Sequence, residues 1–296
     1  MVKWCTNRRR KNGAPFTARD FVNKTKSKSG LARSLGVSRS SLYYVPKRPY
    51  KDAVLKDKIL SVLEEHPAYG YRRIALHLKI NKKRVQRVKQ KYGIKPTILR
   101  KKPKYGKNKS HSGVPNRIKN LCPIAPDVFW SGDFTYLWYQ GRFIYLATVI
   151  DNYTREVIAW QIGLHHTARL VVDVLEEALR KREHAPDIFH SDQGSEYASD
   201  ICMLLLAKHT ILPSHSPKAK PWYNGKQESF YSSFKLEFGK VSRHGTIEKL
   251  IEAIGRYIHY YNTRRIHSSL KMPPREFCEK EKKLWERASQ RKNKEN

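Results

Sequence analysis

The 296-residue sequence predicts an α/β fold, a mixed sheet with helices on its faces, preceded by all-helical modules. Three observations predict it. From residue 127 onward, three aromatic and β-branched runs follow one another before any helical period begins. Between residues 27 and 93, apolar residues instead recur at helical spacing. Charge divides at the same place: residues 1–120 hold 34 Lys+Arg against 5 Asp+Glu, and residues 121–296 hold 26 against 21.

The first element is SKSGLARSLGVSRSSLYYVP, residues 27–46, which has helix-turn-helix punctuation. Leu31, Ala32 and Leu35 face inward from a first helix. Gly36 makes the turn, and Ser38 caps a second helix ending near Tyr43–Tyr44. Arg39, Ser40 and Ser41 then stand at the exposed start of that helix, where base edges are met in such units. A generic helical hairpin has the same pattern, and the surrounding charge favours DNA.

A second helical unit covers residues 54–93, with stripes at Ile59/Leu60/Val62/Leu63, at Ile74/Leu76/Leu78 and at Val85/Val88. Its first two helices are separated at Pro67–Tyr71, just before the basic pair Arg72 and Arg73, which are candidate DNA contacts. The third starts from Asn81 as N-cap and ends at Gly93. Lys82, Lys83, Arg84, Arg87, Lys89 and Lys91 cover its polar face. Six like charges repel unless a polyanion neutralises them, which makes this face a candidate DNA contact. Residues 95–119 are basic, rich in Pro, Gly and Ser, and without period, and read as a linker lying along phosphates.

Then the sheet begins. VFWSGDFTYLWY, RFIYLATVID and EVIAWQIG read as strands, followed by a helix from Thr167 to Arg182. A strand over Asp187–His190, a helix over 197–209, a short strand ILP and a Pro-rich loop lead to a last helix carrying Glu228. The predicted domains are 1–50, 51–94, a basic linker 95–124, an α/β core 125–280 and a charged tail 281–296.

The net charge of +34 points to a polyanionic partner bound with steep salt dependence. No long apolar span or signal-type apolar region speaks for a membrane. Cys5, Cys122, Cys202 and Cys278 are scattered without CxxC spacing, so neither a disulfide framework nor a structural zinc is expected.

Asp133 lies inside the first strand, Asp192 closes the run DIFHSD, and Glu228 opens the last helix with 35 residues between it and Asp192. Phosphodiester transfer needs an attacking oxygen activated and a leaving oxygen stabilised, which two divalent ions ~3.5–4 Å apart supply together. Mg²⁺ and Mn²⁺ prefer hard oxygen ligands, so converging carboxylates are the appropriate donors. Such a cluster is hard to explain as architecture, because like charges repel when no metal is bound. Single acids in a basic protein usually pair with surface cations, and Asp151, Glu196 and Glu237 read that way.

With these blocks in view, the chain resembles the DDE transposases of the retroviral-integrase superfamily. Within them it is similar to second-reading-frame (OrfB-type) products of insertion sequences of the IS-three type. HPAYGYRRIALHL and KKRVQRVKQKYGI resemble the family's N-terminal helical module. WSGDFTYLW, HSDQGSEYAS and ESFYSSFKLE resemble its catalytic blocks, and IHYYNTRRIHSSLKMPPREF its C-terminal signature.

The resemblance implies an RNase H-like core in which Asp133, Asp192 and Glu228 bind two Mg²⁺ (or Mn²⁺) ions. It further implies strand cleavage at element ends, attack of the freed 3′-hydroxyl on a second phosphodiester, and no covalent protein–DNA intermediate. The implied partners are double-stranded DNA, further copies of the chain on that DNA, and a first-reading-frame (OrfA-type) protein. The implied location is the bacterial cytoplasm, at the nucleoid when bound.

Where relatives read Asp-Asn-Ala, this chain has Tyr223-Asn224-Gly225; Asn224 still caps the Glu228 helix, and Tyr223 is free to stack on a base. Lys218, Lys220 and Lys226 flank that helix as candidate phosphate contacts. In the C-terminal block, Tyr257, Ile258 and Tyr261 read as packing residues, while Asn262, Arg265 and His267 suit either DNA or a turn. A non-catalytic DNA-binding regulator and a structure-specific nuclease on the same core remain the alternatives.

Overall fold

The computed structural model describes residues 27–34, 36–42, 47–98, 113–118, 121–217 and 224–295, with backbone alone at 47–48 and 285–295. The chain forms two compact units, Met1–Asp57 and Lys58–Asn296.

In the first unit, α1 (Lys28–Ser34) is followed by a four-residue 3₁₀ turn, Arg39–Leu42. Ala32 and Leu42 are its buried apolar pair, with Leu31 against them. Of the expected second helix, the described residues form this 3₁₀ turn. Ser38 Oγ accepts from the Ser41 backbone N–H at 3.3 Å and lies 2.9 and 2.8 Å from the Ser40 and Ser41 hydroxyls. Serines offered such local partners favour a turn over a propagating helix. Leu35, Tyr43 and Tyr44 lie outside the described residues.

Helix α2 (Lys47–Glu65) leads into the second unit, where α3 (Tyr71–His77) and α4 (Lys82–Lys91) complete the helical segment. Ile59, Val62, Leu63, Ile74, Val85 and Val88 are buried as the stripes require, with Ala75 beside them, whereas Leu60 is exposed and Leu76 and Leu78 are half-buried. Asn81 caps α4 by accepting from Lys83 N at 2.8 Å. One basic residue departs from the expected polar face: Lys89 is buried, and desolvation lowers its pKa.

The sheet has five strands in the order β3-β2-β1-β4-β5. β1 (Phe129–Tyr139), β2 (Arg142–Asp151) and β3 (Val157–Gly163) form an antiparallel meander, to which β4 (Ile188–Ser191) and β5 (Leu212–His215) add in parallel. α5 (Ala168–Lys181) and α6 (Asp200–Lys208) bury Leu170, Val171, Leu175, Cys202 and Leu206 in one core with Trp130, Ala147 and Val149. α7 (Gly225–Phe238) and α8 (Ile247–Thr263) build a second core, where Phe230, Phe234, Ile254 and Tyr257 meet Leu137, Ile144 and Leu146. Strand alternation feeds the two cores from opposite faces of β1.

The segment carrying His66, Tyr69 and Arg73 is fastened to this core rather than set apart from it. His66 Nδ1 lies 2.8 Å from the Tyr260 hydroxyl, and the Ile266 backbone N–H donates to the Tyr69 hydroxyl at 2.7 Å. Arg265 Nε and Nη2 each donate to Glu237 at 2.8 Å, and Arg73 Nη1 lies 3.7 Å from the same carboxylate. Glu237, expected to pair at the surface, is therefore the anchor of a buried cluster. Arg265 and Asn262 are structural too; both amide ends of Asn262 bond Val157, its Oδ1 accepting from N at 3.0 Å and its Nδ2 donating to O at 2.9 Å.

Asp151 also differs from its expected surface pairing. It is fully buried and accepts from the backbone N–H groups of Asp127, Tyr153 and Thr154 at 2.7–2.8 Å. The expected charged tail is part of α9 (Pro274–Glu295), which runs on through it. Cys122, Cys202 and Cys278 are free thiols, and Cys5 lies outside the described residues. No described helix is long and apolar enough to cross a membrane.

Candidate active site

Asp133 reaches its place because β1 passes very close to the β4 side of the sheet. At Gly132 an added Cβ would collide with the Phe189 ring and lie 3.1 Å from Tyr197, so only glycine lets the strand pack there. Asp133 follows in a half-buried position, and its Oδ1 accepts from the Phe134 backbone N–H at 2.8 Å.

Asp192 stands one residue past β4. Its Oδ1 accepts from Gly194 N at 3.0 Å, which fixes the turn leaving the strand. The strand beneath it is pinned by His190, fully buried, whose Nδ1 lies 3.0 Å from Ser214 Oγ and Nε2 2.9 Å from Ser216 Oγ. Burial pushes that imidazole down to about 4, so it is neutral at pH 7 and serves to lock β4 against β5.

Glu228 projects from the first turn of α7, where the positive end of the helix dipole favours a carboxylate. The helix is held by Gln227 and Tyr231. Gln227 Nε2 donates to Ser131 O at 2.6 Å and Thr148 O at 3.2 Å, and its Oε1 accepts from Thr148 Oγ1 at 2.9 Å. The Tyr231 hydroxyl donates to Asp133 O at 2.7 Å, tying the Glu228 helix to the residue that carries the first acid. Sequence reasoning missed both residues. Their positions, one before and three after Glu228, mark the helix face turned to the sheet, and the buried Phe230 and Phe234 on that face were the available signal.

Asn224 occupies the N-cap position, as expected, but its side chain does not cap. Its Oδ1 is buried without a hydrogen-bond partner. Gln193 Oε1, next to Asp192, is likewise buried and unpartnered.

The electrostatics mark the three acids as a group. Burial raises the Asp133 carboxyl well above the usual range, the charge of Asp192 adds to that rise, and Glu228 adds further. Lys235 opposes it weakly. Asp192 is raised by desolvation and by Glu196, and Glu228 by desolvation. None of the three makes an ion pair with another described residue, whereas Glu196 lies 2.7 Å from His166. Glu196 thus pairs with His166 rather than with a surface lysine, and its charge reaches Asp192.

The acids influence one another, but they stand more openly than a metal-binding shell. Among the described residues, the one trio of ligand atoms lying within 4.8 Å of one another is Glu65, His66 and His77, where His66 stacks on Tyr69. The donor set, all hard oxygens, with the buried and unpartnered Gln193 Oε1 next in sequence to Asp192, fits a divalent cation of the Mg²⁺ or Mn²⁺ kind.

The candidate DNA contacts divide. Arg39, Ser40, Ser41, Arg72, Lys82, Lys83, Arg84, Arg87 and Lys226 are exposed. Arg73 is not placed for that role: it lies 4.9 Å above the Tyr69 ring and faces Glu237. Lys218, Lys220 and Tyr223 lie outside the described residues. His267 is held neutral, its pKa lowered by burial to about 4.

Comparison with known proteins gives a consistent picture. Family models described as "Integrase core domain" match residues 124–221 and 209–274. The InsK protein of insertion sequence element IS150 from Escherichia coli (strain K12) is 32% identical over 252 residues, 81% of this chain and 89% of its own. The transposase for insertion sequence element IS904 of Lactococcus lactis subsp. lactis (strain IL1403) is 34% identical over 238 residues, 76% and 94% of the two chains. Among solved structures, the magnesium-bound HTLV-2 integrase catalytic core domain aligns over 49% of this chain and 92% of its own, with 18% identity and a TM-score of 0.42.

Proposed function

The chain belongs to the DDE transposases of the integrase-core superfamily, and from that premise we propose that Asp133, Asp192 and Glu228 are its catalytic carboxylates. The observation that carries the assignment is electrostatic: the charges of Asp192 and Glu228 both raise the Asp133 carboxyl, and none of the three acids forms an ion pair with a described residue. Every other acid singled out in the core has a partner, in Arg265, in His166 or in backbone N–H groups.

Asp133, Asp192 and Glu228 would hold a pair of Mg²⁺ or Mn²⁺ ions. Such ions activate the attacking oxygen and stabilise the leaving one in phosphodiester chemistry. The chain's own contribution is rigidity. Asp133 is fixed in a central strand, Asp192 by its own turn and the locked β4–β5 pair, and Glu228 by the Gln227 and Tyr231 bonds. Sites built on strands and helices hold their geometry better than sites on loops.

In the cleavage step, water forms a bond to phosphorus while the bond to the 3′ oxygen breaks, leaving a 3′-hydroxyl and a 5′-phosphate. In the transfer step, that hydroxyl attacks a second phosphodiester, so one P–O bond replaces another and no external energy source is required. The substrate would be double-stranded DNA at the element's terminal inverted repeats. Lys226 and the exposed bases Arg39, Arg72, Lys82, Lys83, Arg84 and Arg87 would neutralise its phosphates, with Ser40 and Ser41 beside the bases. Lys226, whose pKa is lowered by burial and by the neighbouring Arg155, carries charge that a phosphate would relieve. Joining two ends calls for several copies on DNA, and a first-reading-frame protein is the further partner this reading includes.

A supercoiled plasmid carrying the element's ends tests the assignment. With Mg²⁺, the wild type should nick or join it, and Asp192→Asn should leave it supercoiled. Equal activity of the two proteins would overturn the assignment.

A further inference from the structure

The hairpin that continues β1 beyond Asp133 carries an exposed aromatic cluster that neither core uses. Tyr136, Trp138 and Phe143 are 63%, 56% and 48% exposed, while their neighbours Leu137 and Tyr139 are buried. Strand alternation therefore turns three large rings to solvent on purpose-built backbone, where a soluble sheet normally presents polar side chains.

The rings are ordered against one another. Phe143 sits opposite Trp138 in the β1–β2 register, its ring centroid 4.8 Å from Trp138 and 5.5 Å from Tyr136, both edge-to-face. Gln140 and Gly141 close the hairpin with φ 45° and 84°, the left-handed pair that a tight turn between twisted strands requires. Gln140 Nε2 donates to Gly245 O at 2.9 Å and holds the hairpin tip to the loop before α8.

Two further features say what covers this face. Lys235, on the Glu228 helix, places its Nζ 5.2 Å from the Tyr136 ring centroid, and its ammonium also senses the Asp133 carboxylate. β4 pairs with β1 only at Phe129–Ser131, so the strand from Asp133 to the hairpin has no β partner on that edge among the described residues. Asp133 pairs with Thr148 on the face that α7 covers, whereas Tyr136 pairs with Tyr145 on the opposite face, three residues or about 10 Å further along the strand. Lys235 reaches both residues across the unpaired edge, so a polyanion passing round that edge from the acids meets a cation and then aromatic rings.

We propose that Tyr136, Trp138 and Phe143 form a base-stacking platform for unpaired nucleotides of the DNA strand next to the reacting phosphate, with Lys235 beside its backbone. The proposal rests on the catalytic reading above. Aromatic side chains beside a basic residue are the recurrent means of holding single-stranded DNA without sequence readout, because every base offers a π-face. A second copy of the chain is the competing occupant.

The test uses the full chain and an element-end duplex with an unpaired flank carrying 2-aminopurine two to four nucleotides from the scissile position. Wild type should quench the fluorophore on binding. Tyr136→Ala/Trp138→Ala should lose the quench and bind the flanked DNA about five- to a hundredfold more weakly for each base released. Tyr136→Phe/Trp138→Phe, which keeps the rings, should retain both, and serves as the control if the alanine protein folds poorly. Asp192→Asn should keep the quench while losing cleavage, so an active Asp192→Asn protein would count against the acids alone. Equal quenching by wild type and the alanine variant would overturn the platform. So would an alanine variant that changes only the sedimentation of the free protein, since that outcome assigns the face to a contact between copies.

Discussion

Two sets of carboxylates in the same α/β unit are treated in opposite ways. Glu237 is buried against Arg265 in a two-pronged pair with Arg73 behind it, and Glu156 is gripped by Arg182 at 2.7 Å and Arg275 at 3.1 Å. Asp151 is wrapped in backbone N–H groups. Asp133, Asp192 and Glu228 have one backbone donor each at most, and the charges of the latter two raise the Asp133 carboxyl. The first set is neutralised by the fold and stabilises it. The second is left electrically incomplete, which costs stability and makes sense only where something cationic arrives from outside.

The largest effect should separate the sets by activity. Asp133→Asn or Glu228→Gln should reduce strand cleavage on the order of 10³-fold, the scale of losing a preorganised contact to developing charge, as read by plasmid relaxation. Next in size is a stability effect confined to the other set. Arg265→Met should destabilise the unit by about 3–5 kcal/mol, because it leaves the Glu237 carboxylate buried and unpaired; urea unfolding measures it. A loss under 1 kcal/mol would show that the buried pair is not the anchor described here.

A smaller effect runs the other way. Burial and like charges raise the Asp133 carboxyl in the folded state, so its contribution is favourable below the unfolded value and is lost as pH rises through the raised one. At pH 7 without divalent metal, Asp133→Asn should therefore melt higher than wild type. Each kcal/mol is worth roughly 2–4 °C for a unit of this size, and the difference should shrink as the pH is lowered.

The smallest concerns His190. Its folded pKa lies at about 4, below the unfolded value, so the stability tied to its neutral form is present above about pH 6.5 and fades as pH falls toward 4. His190→Gln should flatten that part of the stability–pH curve; an unchanged curve would remove His190 from the acid response.

The succession of strands and helices along the chain was legible because each rests on a local signal, period 2 or period 3.6, and the same signals placed Asp133 in a strand, Asp192 just past one and Glu228 in a first helical turn. What escaped was long-range. Nothing local distinguishes Glu237 from Glu228, yet one meets an arginine 28 positions away and the other meets solvent. Arg73 reads as a basic surface residue until Tyr69 and Glu237 come up to it from the fold. Asn224 sits at a helix start, where sequence favours a cap, but its side chain turns away from the helix N–H groups. At 38–41, local serine hydrogen bonds favour a 3₁₀ turn where apolar spacing alone suggests an α-helix.

The most direct measurement is Mn²⁺ binding to the full chain, followed by electron paramagnetic resonance, for wild type and for Asp133→Asn, Asp192→Asn and Glu228→Gln in turn. The expected result is saturable binding by wild type and at least about tenfold weaker binding in every variant, since each carboxylate is one wall of a shared site. Undiminished binding in any one of the three would contradict the claim that these acids act together.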